Sequence, residues 1–181
     1  MQSAKELFLS LDIPGDDPLK GAKLATSDAA PGVRIFDKTE GTRWESDFVW
    51  LACVNEEDGL NFRILQTTDG GRELKVFWKD RELENIVQVK DLLQAENAWE
   101  VFQMRAVATI QSRVRDQLRL LYSTEDEVQH AEWGDGTGVR EMPRKLAVRL
   151  RKLESELLER AYGQLEDEVR SVPLGSTHTR H

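Results

Sequence analysis

Two long stretches of helically spaced apolar residues constrain this chain more than anything else in it. In the first, Trp99, Phe102, Ala106, Ile110, Val114, Leu118 and Leu121 recur every three or four residues, and no Gly or Pro interrupts Asp91 to Tyr122. In the second, Leu146, Leu150, Leu153, Leu157, Ala161, Leu165 and Val169 follow Pro143 and stop short of Pro173. Such spacing places each set on one helix face. Proline suits a first helical turn, and it turns the residue before it away from the helical region. Gly163 weakens the second helix by about 1 kcal/mol relative to alanine. The spacing therefore predicts a long two-helix antiparallel hairpin over residues 90–172, with a connection from Ser123 to Met142. Connections of that length without structure of their own are usually functional or mobile.

The residues before the hairpin read as strands. Phe48 to Val54 is a continuous apolar run, while Leu60, Phe62 and Ile64, then Leu74, Val76 and Trp78, alternate with other side chains. The turns Asn55–Gly59 and Thr67–Gly71 separate these three segments. Alternation between glycine-containing turns is the mark of hairpins. Val33–Phe36 adds a further strand before them, and Asn85–Val89 adds either a strand or the start of a helix after them. One face of such a sheet needs cover, which the helices supply.

Near the start, Ser3 and Glu6 have the spacing of a capping box, and Leu7, Phe8 and Leu11 would form a small apolar face. A short docked helix over residues 3–11 is expected. The pairs Pro14-Gly15, Asp17-Pro18 and Pro31-Gly32 then mark a long surface connection. The expected fold class is α+β, a small antiparallel β-meander (33–89) followed by the helical hairpin (90–172). Residues 1–32 form an N-terminal short helix and loop, residues 33–181 a single α+β domain, and residues 173–181 a flexible polar tail.

Charge narrows the function. The 181 residues carry 33 acids against 25 lysines and arginines, a net charge of −8. That balance opposes attraction of the whole surface to nucleic acid or to an anionic membrane. No apolar run approaches the ~20 residues that span a bilayer, and Met1–Glu6 lacks the apolar core of a secretion signal. A cytoplasmic protein without membrane contact is expected. Its single cysteine, Cys53, lies inside an apolar run and reads as a small buried hydrophobe.

The distribution of charge says more than its sum. The first helix opens with Asp91, Glu96 and Glu100 and closes with Arg113, Arg115 and Arg119. The second opens with Arg144, Lys145, Arg149, Arg151 and Lys152, then turns acidic with Glu154, Glu156, Glu159, Glu166, Asp167 and Glu168. Antiparallel pairing gathers the two basic ends at the connecting tip and the acidic ends at the opposite pole. The second helix is arranged against its own dipole, which costs a few tenths of a kcal/mol per exposed charge, roughly. Cations beside helix N–H groups are also placed to hold an anion. Trp133, in the connection, is an aromatic among these arginines that can anchor an interface or stack on a base. The remaining tryptophans, Trp44, Trp50, Trp78 and Trp99, read as core or sheet-face packing. Solvation alone accounts for many arginine-rich faces, and the acids Glu125, Asp126, Glu127, Glu132, Asp135 and Glu141 of the connection are able to neutralise the tip.

No catalytic pattern rises as high. Glu73-Leu74-Lys75 has the carboxylate–x–lysine form that nucleases of the PD-(D/E)xK type set on a strand to hold a divalent metal. Its upstream acids Asp58 and Asp69 fall in expected turns, and no proline–aspartate lead-in precedes it. His130 is the sole histidine away from the tail and has no partner at metal-ligand spacing. Gly134-Asp135-Gly136-Thr137-Gly138 lacks the lysine and strand of a phosphate loop. The expectation is a non-enzymatic interaction or accessory subunit, with no cofactor and no metal. It binds a protein partner or a second copy of itself as a homodimer through Arg113, Arg115, Arg119, Trp133, Arg144, Arg149 and Arg151. A nucleic-acid-binding module at the same tip and a metal-dependent nuclease are the alternatives.

Overall fold

A computed structural model describes residues 6–10, 32–66, 68, 70–124 and 141–171. The class is α+β: two three-stranded antiparallel sheets, two short helices and a long helix pair. Strand β1 (Glu6–Ser10) pairs with β2 (Gly32–Lys38), which pairs with β3 (Gly41–Glu45). Helix α1 (Phe48–Ala52) follows, then strands β4 (Leu60–Gln66), β5 (Arg72–Trp78) and β6 (Arg81–Leu83) in a second meander. Helices α2 (Val87–Gln94), α3 (Trp99–Ser123) and α4 (Glu141–Ser171) complete the chain order.

Three sequence expectations are corrected. The residues expected as an N-terminal helix form β1 instead. Leu9, opposite Val33, is buried and Leu7, opposite Ile35, packs on the core, whereas Phe8 points outward. This period-two pattern buries two leucines on an existing sheet, which a two-turn helix could not match. The run Phe48–Val54, expected as a strand, is α1. Its side chains Phe48, Val49, Trp50 and Leu51 are all buried, so no periodicity separated helix from strand. The local signal was Ser46, whose Oγ accepts the Val49 N–H at 3.1 Å, the spacing of an N-cap, and donates to the Gly32 carbonyl at 2.7 Å. The single helix expected from Asp91 to Tyr122 is two, broken at 95–98. The Trp99 N–H bonds the Glu96 carbonyl across that break at 3.1 Å, which lets the Trp99 ring turn onto Trp50.

One continuous core joins the first sheet, α1, α2 and the helix pair: Val33 and Ile35 from β2, Val49 from α1, Leu93 from α2, Ile110 and Val114 from α3, Leu157 and Leu158 from α4. Helix α4 is locked onto the first sheet by polar contacts. Gln164 Oε1 accepts the Thr42 N–H at 2.6 Å, and its amide lies against Gly41, whose φ of 121° suits glycine. Arg160 pairs with Asp37 at 2.7 Å, and Asp37 also accepts the Thr42 hydroxyl at 3.2 Å. On the other side, Arg105 of α3 ties the Asn55–Gly59 turn by bonding Asp58 at 2.7 Å and the Cys53 carbonyl at 3.4 Å.

Candidate functional site

The α3–α4 pair is antiparallel at its tip. Arg151, early in α4, reaches the far end of α3, where it donates to the Leu121 carbonyl at 2.9 Å and to the Thr124 hydroxyl. Gln117 bonds Glu154 at 3.2 Å, and Tyr122 bonds Glu159. Helix termini leave carbonyls without intrahelical partners. Arg151 is therefore consumed in closing α3, a structural role that its place in a basic run concealed.

The other expected site residues divide among several settings. Arg115 is exposed and touches Ser112 at 3.2 Å, and Arg119 is exposed beside Asp116 at 3.9 Å. These two share one face of α3, being four residues apart. Arg149 is exposed and stands with Lys145 and Lys152 at the four- and seven-residue spacing of a single face. Arg113 is half-buried and lies on the opposite side of α3 from Arg115. The side chain of Arg144 and all of Trp133 lie outside the described residues, as do His130 and the Gly134–Gly138 run.

Sequence reasoning missed the apolar part of the same tip. The leucine stripe of α4 fades from core to surface: Leu157 is 0% exposed, Leu150 53% and Leu146 57%. Val148, on another face of α4, and Leu120 and Tyr122, on the last turn of α3, are also exposed. Periodicity marks a stripe but cannot say where the partner helix ends. The result is a surface on which leucines alternate with Arg149, Lys145 and Lys152, near Arg115 and Arg119.

A second concave feature lies at the other end of α3. An open cleft of roughly 620 Å³ is lined by Phe8, Arg34, Trp44, Trp50, Lys90 and Trp99 among others. Trp44, Trp50 and Trp99 form a row of indoles, with centroids 6.1 Å and then 5.2 Å apart. Trp50 is buried, and Trp44 and Trp99 are half-buried and packed against the core, in line with the expected core or sheet-face packing. No local signal announces this cleft, because its indoles come from β3, α1 and α3.

The nuclease constellation is not assembled among the described atoms. Asp58 is engaged by Arg105, and Lys75 bonds Glu82 across β5 and β6 at 2.6 Å. The Glu73 side chain and Asp69 lie outside the described residues. Among the described residues no three His, Cys, Asp or Glu side chains gather as metal ligands, and no helix is long and apolar enough to cross a membrane. Burial pushes the Cys53 thiol up to about 12, against a smaller opposing pull from Arg105, so the sulfur is a protonated core atom and not a nucleophile. No protein-family model matches the chain, and no curated protein or solved structure is significantly similar to it.

Proposed function

We propose that this protein is a non-enzymatic interaction subunit whose hairpin tip docks an acidic, amphipathic segment of a partner protein. The observation that carries the reading is the exposed run of the α4 stripe, Leu146 and Leu150, set among the exposed cations Lys145, Arg149 and Lys152. Exposed leucines contribute to affinity only when another surface covers them, about 25 cal/mol for each Å² of apolar area removed from water. Phosphate backbones cover cations but offer leucines nothing, so the mixture favours a protein over a nucleic acid. A second copy of the chain is a poorer match. Tip against tip opposes arginine to arginine. Tip against the acidic pole meets a helix half whose own Leu157, Leu158 and Leu165 are already buried. A separate acidic helix with leucines at i, i+4 and i+7 matches both the stripe and the charge.

The test is a labelled helical peptide of alternating glutamate and leucine turns, titrated with the protein and its Leu150→Asp and Arg149→Glu variants. Saturable binding to the parent is expected, weaker by about tenfold or more in Leu150→Asp, the size of a central apolar contact, and by about threefold in Arg149→Glu. Equal binding by all three proteins would remove the tip as the docking surface.

A further inference from the structure

The second sheet ends on β4, and its register with β5 fixes which backbone groups of that edge face outward. The Lys79 N–H donates to the Gly59 carbonyl at 2.8 Å, one step beyond the Leu60–Trp78 pair. Hydrogen-bonded pairs alternate along an antiparallel ladder. Asn61, Arg63 and Leu65 therefore bond β5, whereas Leu60, Phe62, Ile64 and Gln66 turn their N–H and C=O groups away from it. The Leu60 N–H agrees, donating outward to the Asn55 carbonyl at 3.1 Å. Past that contact, Phe62 and Ile64 have no hydrogen-bond partner on the outward side among the described residues.

Sheet edges are usually blunted against pairing. Here β6, the opposite edge, is only three residues long, and the Thr42 N–H of β3 is taken by Gln164. Strand β4 has seven residues in unbroken register, without proline or bulge. Its one charged side chain is drawn inward across the sheet. The Arg63 guanidinium lies over the Phe77 ring of β5, 4.4 Å from its centroid, and pairs with Asp80 in the β5–β6 turn. Asp80 holds that place at a φ of 68°, uncommon for a residue other than glycine. The cation thus covers β5 and leaves the edge unguarded.

The side chains show where the edge protrudes. On the face that meets the core, Leu60 is buried, Phe62 half-buried and Ile64 65% exposed. Ile64 stands opposite Leu74, which is half-buried. The apolar stripe of the sheet therefore runs on past the end of the core.

A row of outward N–H and C=O groups takes a strand, and the side chains beside them select which one. With Arg63 paired to Asp80, β4 offers no free charge to select a charged segment. Ile64 needs an apolar residue opposite, which Ile64 of a second copy supplies. Antiparallel pairing about a two-fold axis at Ile64 sets Phe62 against Gln66 and Arg63 against Leu65 of that copy, so no like charges meet. An axis at Arg63 would instead oppose two arginines. Leu60 lies four residues before the axis. The two buried ends therefore stand about 27 Å apart along the strands, at ~3.4 Å per residue, which leaves both bodies room.

We infer that β4 pairs with β4 of a second copy of this chain, joining the two second sheets into one. The contact is independent of the hairpin tip, so either reading can fail without the other. A single strand pair makes a small interface and a weak dimer, with a dissociation constant on the order of 10–100 μM.

The test is sedimentation equilibrium of the whole chain from about 5 to 500 μM, with residue-resolved amide hydrogen exchange at both ends of that range. A monomer–dimer equilibrium is expected. The Phe62 and Ile64 amides should be protected only at the high concentration, and the Arg63 and Leu65 amides at both. Ile64→Lys should weaken the dimer by about tenfold or more, because the two-fold axis opposes its two lysines. Ile64→Pro should abolish it while the Arg63 and Leu65 amides stay protected, since only an outward donor is lost. If neither variant folds, the exchange pattern of the parent still decides. Added salt should tighten the dimer slightly, because two bodies of net charge −8 repel. Leu150→Asp should leave it unchanged; loss of the dimer in that variant would place the contact at the tip and overturn the inference. A dimer whose Phe62 and Ile64 amides exchange freely would also overturn it, as would protection of those amides at every concentration, or a monomer throughout.

Discussion

Arg149 and Arg151 stand two residues apart in one basic run, yet they do different things. Arg151 bonds the Leu121 carbonyl and the Thr124 hydroxyl at the end of α3, while Arg149 is exposed on another side of the helix. Arg151→Ala should therefore lower the unfolding free energy by about 1 kcal/mol, since a charged donor leaves a helix-end carbonyl unserved. Arg149→Ala should change it by less than about 0.5 kcal/mol. Urea denaturation of the two variants measures the difference, and equal losses would show that the α3 end does not need Arg151. The same scale governs Cys53. Because burial raises its folded value to about 12 from 9.0, the folded state holds a proton that the unfolded chain releases. Stability from this group is complete below about pH 9 and falls as pH rises toward about 12. At pH 8 the native thiol should resist a disulfide reagent that modifies it rapidly in urea; equal rates in both would place Cys53 at the surface. Gly32→Ala should cost about 1–3 kcal/mol, the range for overpacking, because the Phe8 ring and the Leu9 carbonyl fill the space of its Cβ.

At the scale of elements, α4 is one helix with two fates. Its second half is core, with Leu157, Leu158, Ala161 and Leu165 all buried, and its first half carries the same leucine spacing into solvent. Leu157→Ala should cost about 2–5 kcal/mol, as buried leucines do. Leu150→Ser should cost less than about 1 kcal/mol, largely helix propensity. If the Leu150 variant proved as destabilised as the Leu157 variant, the first half of α4 would be covered in the free protein and could not be a docking face. The long helices were legible in the sequence because a stripe of three- and four-residue steps has no competing reading over so many turns. Strands β4 and β5 were legible for the parallel reason, their alternation being bounded by glycine turns. α1 was not, because an apolar run buried on every side carries no period. β1 was not, because Leu7, Phe8 and Leu9 form a continuous apolar triplet with no period of its own, and the capping-box spacing of Ser3 and Glu6 suggested a helix when read without β2 beside it. The exposed cations of α3 and α4 could be located from charge order along the helices. The apolar side of the tip depended on where α3 ends relative to α4, and the indole cleft depended on three elements meeting, neither of which is written locally.

Across the whole molecule, a net charge of −8 coexists with the exposed cations Arg115, Arg119, Lys145, Arg149 and Lys152 on the described part of the helix pair, and α3 separates them from the indole cleft by about 30 Å. On the proposed function, the acidic body would repel nucleic acid at long range while the exposed cations of the helix pair would attract an acidic segment at short range, so the protein would discriminate by adding apolar contact to charge. The most direct test is a salt series in which the labelled glutamate–leucine peptide and a duplex DNA of similar charge are titrated in parallel by fluorescence anisotropy. The peptide should bind the tighter of the two and keep most of its affinity as salt rises, because leucine burial is not screened. Tighter binding to DNA, with an affinity falling steeply in log salt, would mean that phosphates are the ligand of the tip and that its leucines serve another purpose.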